Sequence, residues 1–179
     1  MDETESVASI DLSTIDTPTH TTDHDTPLRL GHPDHRRHFA PTPSPGRIYI
    51  IRNQTLHKVI SLRDGRLSLG NECDLLAGYY WECVETCGWL GFRETVSGNY
   101  LGRGDHKDFR ATVKHHKPWE WFVARGAGHT GYYYLQSPGT GRNSLTWISI
   151  DTTTTSEALI SVSCNTQAAI WEFEDVTIP

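Results

Sequence analysis

The dipeptide Trp-Glu occurs three times in this chain, at Trp81-Glu82, Trp119-Glu120 and Trp171-Glu172. Each copy ends a stretch that opens with a glycine and a short aromatic-aliphatic segment and continues through a polar turn. An internal repeat constrains the architecture strongly, because each unit buries its apolar face only against its neighbours. Three units are too few for a propeller of four to eight blades, so the pattern predicts one three-fold β structure.

The three units span residues of about 46–86, 87–126 and 127–179. Their apolar runs are short, rich in β-branched and aromatic residues, and bounded by Gly, Asn, Asp and Ser, which predicts strands and turns. Because side chains alternate between the two faces of a strand, the closing segments of the units should share one buried face. The residues that this alternation assigns to the core are Trp81, Trp119, Trp121, Trp171 and Phe173.

The first 45 of the 179 residues differ in composition from the rest. They hold eight acidic and three basic residues, five histidines, many Thr and Pro, and almost no aromatic residues, so they carry most of the net charge of −6. A segment with so little apolar surface does not offset the entropy lost on ordering. We therefore predict a disordered acidic tail over 1–45 and a folded domain over 46–179.

The charge and hydropathy of the domain exclude several classes of partner. Its acidic and basic residues almost balance, which argues against nucleic-acid binding. The only basic cluster, at 107–117, is interpreted as a solvated hairpin surface. No apolar run approaches the roughly 20 residues of a membrane span, so no membrane partner is predicted. The N-terminus has no basic segment followed by an apolar one, which predicts a cytoplasmic protein, with the nucleus as an alternative.

Motifs for catalysis and for metal or cofactor binding are missing from the sequence. The four cysteines (Cys73, Cys83, Cys87 and Cys164) lack the CxxC pairs of a zinc site and are interpreted as buried thiols. The chain has no nucleophile elbow, HExxH helix, Walker loop or dinucleotide fingerprint. We therefore predict no catalytic residue, no metal and no cofactor.

The middle unit carries a family resemblance. Its segment Gly88-Trp-Leu-Gly-Phe-Arg-Glu-Thr-Val-Ser-Gly-Asn-Tyr-Leu-Gly-Arg103, with the closing Trp-Glu-Trp-Phe, resembles one repeat of a fascin-like β-trefoil. Over 46–179 the chain is also similar to the small single-trefoil proteins of filamentous fungi. The resemblance implies an all-β β-trefoil fold of twelve strands in six hairpins, with six strands closing a barrel and six capping it.

Three functions are compatible with that resemblance. The first is a non-enzymatic protein-interaction module, with actin as a candidate partner because fascins bundle actin filaments. The second is a small-molecule or glycan-binding trefoil, whose candidate binding residues are Tyr79, His129, Tyr132 and Arg142. The Gln-x-Trp motif of ricin-type lectins is absent, since Gln167 lies four residues before Trp171, which argues against sugar binding of that kind. The third is an auxiliary or cryptic enzyme of a fungal metabolic pathway.

Overall fold

The computed structural model of the protein describes residues 42–74, 76–141, 144–153 and 157–176. Within these residues the chain forms twelve β-strands and two 3₁₀ turns, the latter at Pro118–Glu120 and Asn165–Gln167. The strands are β1 (Ile48–Asn53), β2 (Val59–Arg63), β3 (Arg66–Gly70), β4 (Tyr80–Thr86), β5 (Trp89–Glu94), β6 (Tyr100–Arg103), β7 (Phe109–Val113), β8 (Val123–Gly126), β9 (Tyr132–Pro138), β10 (Leu145–Asp151), β11 (Ala158–Val162) and β12 (Ile170–Asp175). No described helix is long and apolar enough to cross a membrane.

Six of the strands form a ring. Strand β1 pairs with β12 and β4, β4 pairs with β5, and β9 pairs with β12 and β8, all antiparallel. Leu90 in β5 and Phe122, the residue before β8, exchange two backbone hydrogen bonds of 3.0 and 2.8 Å. That bridge joins β5 to the start of β8 and completes the circuit, so these strands have few unpaired edges.

The other six strands form three hairpins, β2–β3, β6–β7 and β10–β11. Strands β3, β7 and β11 contact one another, so the hairpins meet and cover one end of the ring. Each repeat therefore supplies two strands to the ring and one hairpin to the cap. This arrangement is a β-trefoil, which confirms the fold predicted from the sequence.

The core shows the same three-fold relation. Tyr49 pairs with Trp81, Leu90 pairs with Phe122, and Tyr133 pairs with Trp171, at matching places in the three repeats. Trp81, Phe122, Trp171 and Phe173 are fully buried, which confirms the prediction for Trp81, Trp171 and Phe173. The indole Nε1 of Trp81 donates to the carbonyl oxygen of Ile60 over 2.9 Å and so ties the ring to the cap.

The prediction that Trp119 and Trp121 belong to the core is wrong. Trp119 is 43% exposed, and Trp121 is half-buried and stacks on Trp89 with ring centroids 5.2 Å apart, outside the central cluster. In the middle repeat, the buried residue that corresponds to Trp81 and Trp171 is Phe122, three residues after Trp119. Pro118 begins a 3₁₀ turn over 118–120, so the two-residue alternation of a strand does not apply to Trp119.

Packed structure begins before the predicted domain boundary at residue 46. Pro43 is buried, and the backbone N–H of Ser44 donates to the Tyr49 hydroxyl over 3.0 Å. Burial raises the pKa of that hydroxyl, and the hydrogen bond from Ser44 partly opposes the rise. Residues 42–45 therefore pack on the first repeat. The remainder of the predicted tail, 1–41, lies outside the described residues.

The cysteines differ from the prediction that all four are buried. Cys83 lies in the core, whereas Cys73, Cys87 and Cys164 are exposed, and all four are free thiols. Burial raises the pKa of the Cys83 thiol to about 12, so this sulfur is protonated at neutral pH. The thiolate is the reactive form of cysteine.

We expect alkylation at neutral pH to modify three cysteines quickly and Cys83 only when the protein unfolds. Mass spectrometry after timed treatment with iodoacetamide measures this difference, and the same reaction in denaturant provides the four-site control. Modification of Cys83 in the native protein at the rate of Cys73 would contradict its position in the core.

Candidate functional site

The turn between β5 and β6 sets the position of Arg103. The Glu94 carboxylate accepts hydrogen bonds from the backbone N–H groups of Val96 and Ser97, at 3.0 and 2.6 Å, and Gly98 adopts a φ of +72° that favours glycine. This turn starts β6, whose residues Tyr100–Arg103 are all buried. The last of them, Arg103, is thereby placed at the end of a buried strand.

The 3₁₀ turn at 118–120 brings Trp119 beside that strand. The Glu120 carboxylate accepts from the backbone N–H of Lys117 over 3.2 Å, and the Glu120 N–H donates to the Lys117 carbonyl oxygen over 2.9 Å. Gly102 permits the close approach, because a Cβ on it would lie only 2.9 Å from a Glu120 carboxylate oxygen. The turn and β6 thus pack tightly and hold Trp119 next to Arg103.

Arg103 and Trp119 form a cation–π pair at the surface. The Arg103 guanidinium carbon lies 5.4 Å from the centroid of the Trp119 ring. Arg103 is only 9% exposed, and its Nε is buried without a hydrogen-bond partner. The guanidinium makes no hydrogen bond or ion pair with any residue that the structure describes. A buried donor without an acceptor is costly, and in Arg103 it belongs to a guanidinium that has no ion pair with a described residue.

Arg103 lines two surface cavities. The first, of about 330 Å³, lies on the Trp119 side, and the second, of about 510 Å³, lies towards the third repeat. The first is lined by Tyr100, Gly102, Arg103, Arg110, Thr112, Val113, His115, Trp119 and Glu120. The second is lined by Arg103, Asp105, His106, Lys107, Thr140, Thr146, Ser161, Val162 and Ser163. Both volumes fall in the range of about 300–1,000 Å³ typical of ligand-binding clefts.

The charge of this region differs from that of the whole chain. Three permanent cations line the two cavities, Arg103, Arg110 and Lys107, against the carboxylates of Asp105 and Glu120. Asp105 is paired with Arg110 at 2.9 Å, and both side chains are largely exposed. The net charge of the residues that line the cavities is therefore positive, although the net charge of the whole protein is −6. We call the two cavities together, both lined by Arg103, the Arg103 cleft.

The candidate binding residues from the sequence lie elsewhere. His129, in the turn between β8 and β9, meets Tyr132, the first residue of β9, edge to face with ring centroids 6.3 Å apart. Tyr79 packs against Tyr80 with centroids 4.7 Å apart, just before β4. None of these three residues lines the Arg103 cleft. Arg142 lies outside the described residues.

Sequence reasoning missed Arg103 and gave Trp119 the wrong role. The basic cluster at 107–117, interpreted as a solvated surface, supplies Arg110 and His115 to one cavity and Lys107 to the other. The usable signal was Pro118, because proline ends ladder pairing and so places Trp119 outside a central strand. No group of three or more His, Cys, Asp or Glu side chains among the described residues is arranged to hold a metal ion.

Comparison with known proteins supports the fold. No protein-family model matches the chain, and no curated protein matches its sequence. Among solved structures, a BEL β-trefoil in an apo crystal form gives a TM-score of 0.61 at 15% identity, over 77% of this chain and 99% of that chain. At such low identity the likeness establishes the fold alone.

Two further structures are similar to the chain and hold saccharides. A ricin B-like lectin from Macrolepiota procera in complex with lactose gives a TM-score of 0.56 at 17% identity, over 74% of this chain and 98% of that one. SeviL bound to the asialo-GM1 saccharide gives a TM-score of 0.56 at 12% identity, over 73% of this chain and 96% of that one. The class of protein is thus the β-trefoil, and these comparisons do not single out its fascin-like members.

Proposed function

We propose that this protein is a carbohydrate-binding β-trefoil and that the Arg103 cleft is its saccharide site. The observation that carries the proposal is Trp119, an exposed indole that lies beside a buried arginine at the mouth of a cavity. A sugar ring has an apolar C–H face and a rim of hydroxyl groups. An aromatic side chain suits the face, and nearby polar groups suit the rim.

The polar groups of the first cavity match that requirement. Arg103 and Arg110 offer N–H donors, Thr112 offers a hydroxyl, and Glu120 offers a carboxylate. The solved trefoils that hold lactose and the asialo-GM1 saccharide add support, because they carry sugars on the same architecture. The alternative predicted from the sequence, a glycan-binding trefoil, is therefore better supported than the protein-interaction module.

The test is a glycan array followed by titration of the best saccharide into the full chain. We expect Trp119→Ala to weaken the affinity by at least about tenfold, because exposed tryptophans at binding sites contribute strongly. Tyr80→Ala is the matched control, since Tyr80 is 41% exposed and lines neither cavity of the Arg103 cleft. An array without binding, or full affinity in Trp119→Ala, would contradict the proposal.

A protein partner is the second candidate function, and exposed apolar side chains favour it. Val96, in the turn after β5, is 88% exposed, and Tyr80, the first residue of β4, is 41% exposed. The backbone N–H of Thr95 donates to the Tyr80 carbonyl oxygen over 3.0 Å, so the two residues lie on neighbouring segments of the surface. The fascin-like resemblance makes actin the candidate for this role. Co-sedimentation with filamentous actin, compared between the wild type and Val96→Asp, tests it, and background levels for both would contradict it.

A further inference from the structure

We infer that the Arg103 cleft selects acidic saccharides, whose carboxylate or sulfate group is held by the Arg103 guanidinium. This specificity presupposes the saccharide site proposed above and adds the chemical class of its ligand. Neutral sugars would meet only the Trp119 face and the hydroxyl-binding groups. An acidic sugar would in addition supply the acceptors that Arg103 lacks.

The surroundings of Arg103 suit the binding of an anion better than a structural role. Guanidinium carries five N–H donors in a planar fork that matches carboxylate and sulfate oxygens. The stacking on Trp119 satisfies none of those donors, because a ring face attracts the charge but accepts no ordinary hydrogen bond in their plane. More than nine-tenths of the residue is buried, and it lines both cavities. A ligand anion in either cavity would accept hydrogen bonds from this guanidinium.

Two other arginines, unlike Arg103, form ion pairs with carboxylates. Arg52, also buried, contacts the carboxylates of Glu72 and Glu174. Arg93, half-exposed, pairs with Glu82. Arg103 has no carboxylate within 4 Å among the described residues, although it is almost as buried as Arg52.

The nearby acidic groups leave Arg103 available. Glu120, which lines the same cavity, is buried and accepts a hydrogen bond from the Lys117 backbone. Asp105, in the second cavity, is paired with Arg110. Lys107 lines that cavity without an ion pair to a described residue, so it adds positive charge there. Charge-assisted hydrogen bonds to a guanidinium are about twice as strong as neutral ones.

The experiment uses an array that prints neutral oligosaccharides beside their carboxylated and sulfated derivatives, probed with the full chain. The best-bound series is then titrated at low and high NaCl concentration. We expect the acidic member to bind at least about tenfold tighter than its neutral parent, with a smaller preference at high salt. The carboxylated and sulfated arms identify which anion the cleft prefers.

Variants assign the preference to Arg103. Arg103→Gln should abolish the acidic preference, measured as the ratio of the acidic to the neutral affinity, and should weaken both members because Arg103 also offers donors to the sugar rim. Arg103→Lys, which keeps the charge but loses the planar fork, should reduce the preference. Arg66→Gln is the control, because it removes the same charge from an exposed site that lines a separate cavity. If Arg103→Gln fails to fold, the neutral-to-acidic ratio of the wild type and of Arg103→Lys still decides.

Each result separates the two proposals. Equal affinity for neutral and acidic members would overturn the acidic specificity and leave the saccharide site standing. An acidic preference that survives unchanged in both Arg103 variants would overturn the assignment to Arg103. An array without any bound saccharide would overturn both.

Discussion

Phe122→Ala is expected to lower the free energy of unfolding by about 3–5 kcal/mol, whereas Trp119→Ala should lower it by about 1 kcal/mol or less. Phe122 is fully buried and packs against Phe92 and Phe109, with ring centroids 5.7 and 6.3 Å apart. Its truncation leaves a cavity in the hydrophobic core. Truncation of Trp119 removes mainly its contact with Arg103 and the wall of an open cleft.

Urea unfolding followed by far-UV circular dichroism measures both losses on the same scale. The dependence of the free energy on urea should stay constant, since neither change alters the surface that unfolding exposes by much. A greater loss of stability for Trp119→Ala than for Phe122→Ala would show that Trp119 belongs to the core, and would contradict the strand register of the middle repeat.

The fold was predictable from the sequence where the repeats are regular. Glycines at φ values of +81°, +81° and +87° open the three units, at Gly46, Gly88 and Gly131, and their spacing marks the repeat. Trp81 and Trp171 sit in strands and obey the two-residue alternation, so their burial follows from local pattern. The Trp-Glu pair of the middle repeat is a coincidence of sequence, because Pro118 turns the chain before the strand begins.

The cleft was less predictable, because its distinguishing property arises from contacts distant in sequence. Local pattern places Arg103 at the end of a strand, which is normally an exposed position. Its burial depends on the turn at 118–120 and on the third repeat, which contributes Thr146 and Ser161 to the adjoining cavity. The absence of a carboxylate partner among the described residues follows only from the assembled side chains. Single-sequence patterns carry no such information.

Arg52→Met is expected to cost about 3–5 kcal/mol, because it removes one partner from a buried charge network. Arg52 is 4% exposed and its Nη2 lies 2.5 Å from a Glu72 oxygen and 3.0 Å from a Glu174 oxygen. A third hydrogen bond, of 3.3 Å, runs from Nη1 to the His57 carbonyl oxygen. The substitution leaves Glu174, whose side chain is largely buried, without its cation, while methionine fills most of the volume.

A matched surface pair distinguishes burial from charge loss. Arg93→Met breaks the ion pair with Glu82, in which both side chains are partly exposed to solvent, and should cost about 1 kcal/mol or less. Adding Glu174→Gln to Arg52→Met should restore part of the lost stability, because it removes the uncompensated carboxylate. Urea unfolding of the wild type and these three variants at neutral pH measures the differences. Equal losses of stability for Arg52→Met and Arg93→Met would show that the Arg52 network is no more desolvated than a surface ion pair. The burial of Arg103 would then no longer indicate that its guanidinium needs an anionic ligand.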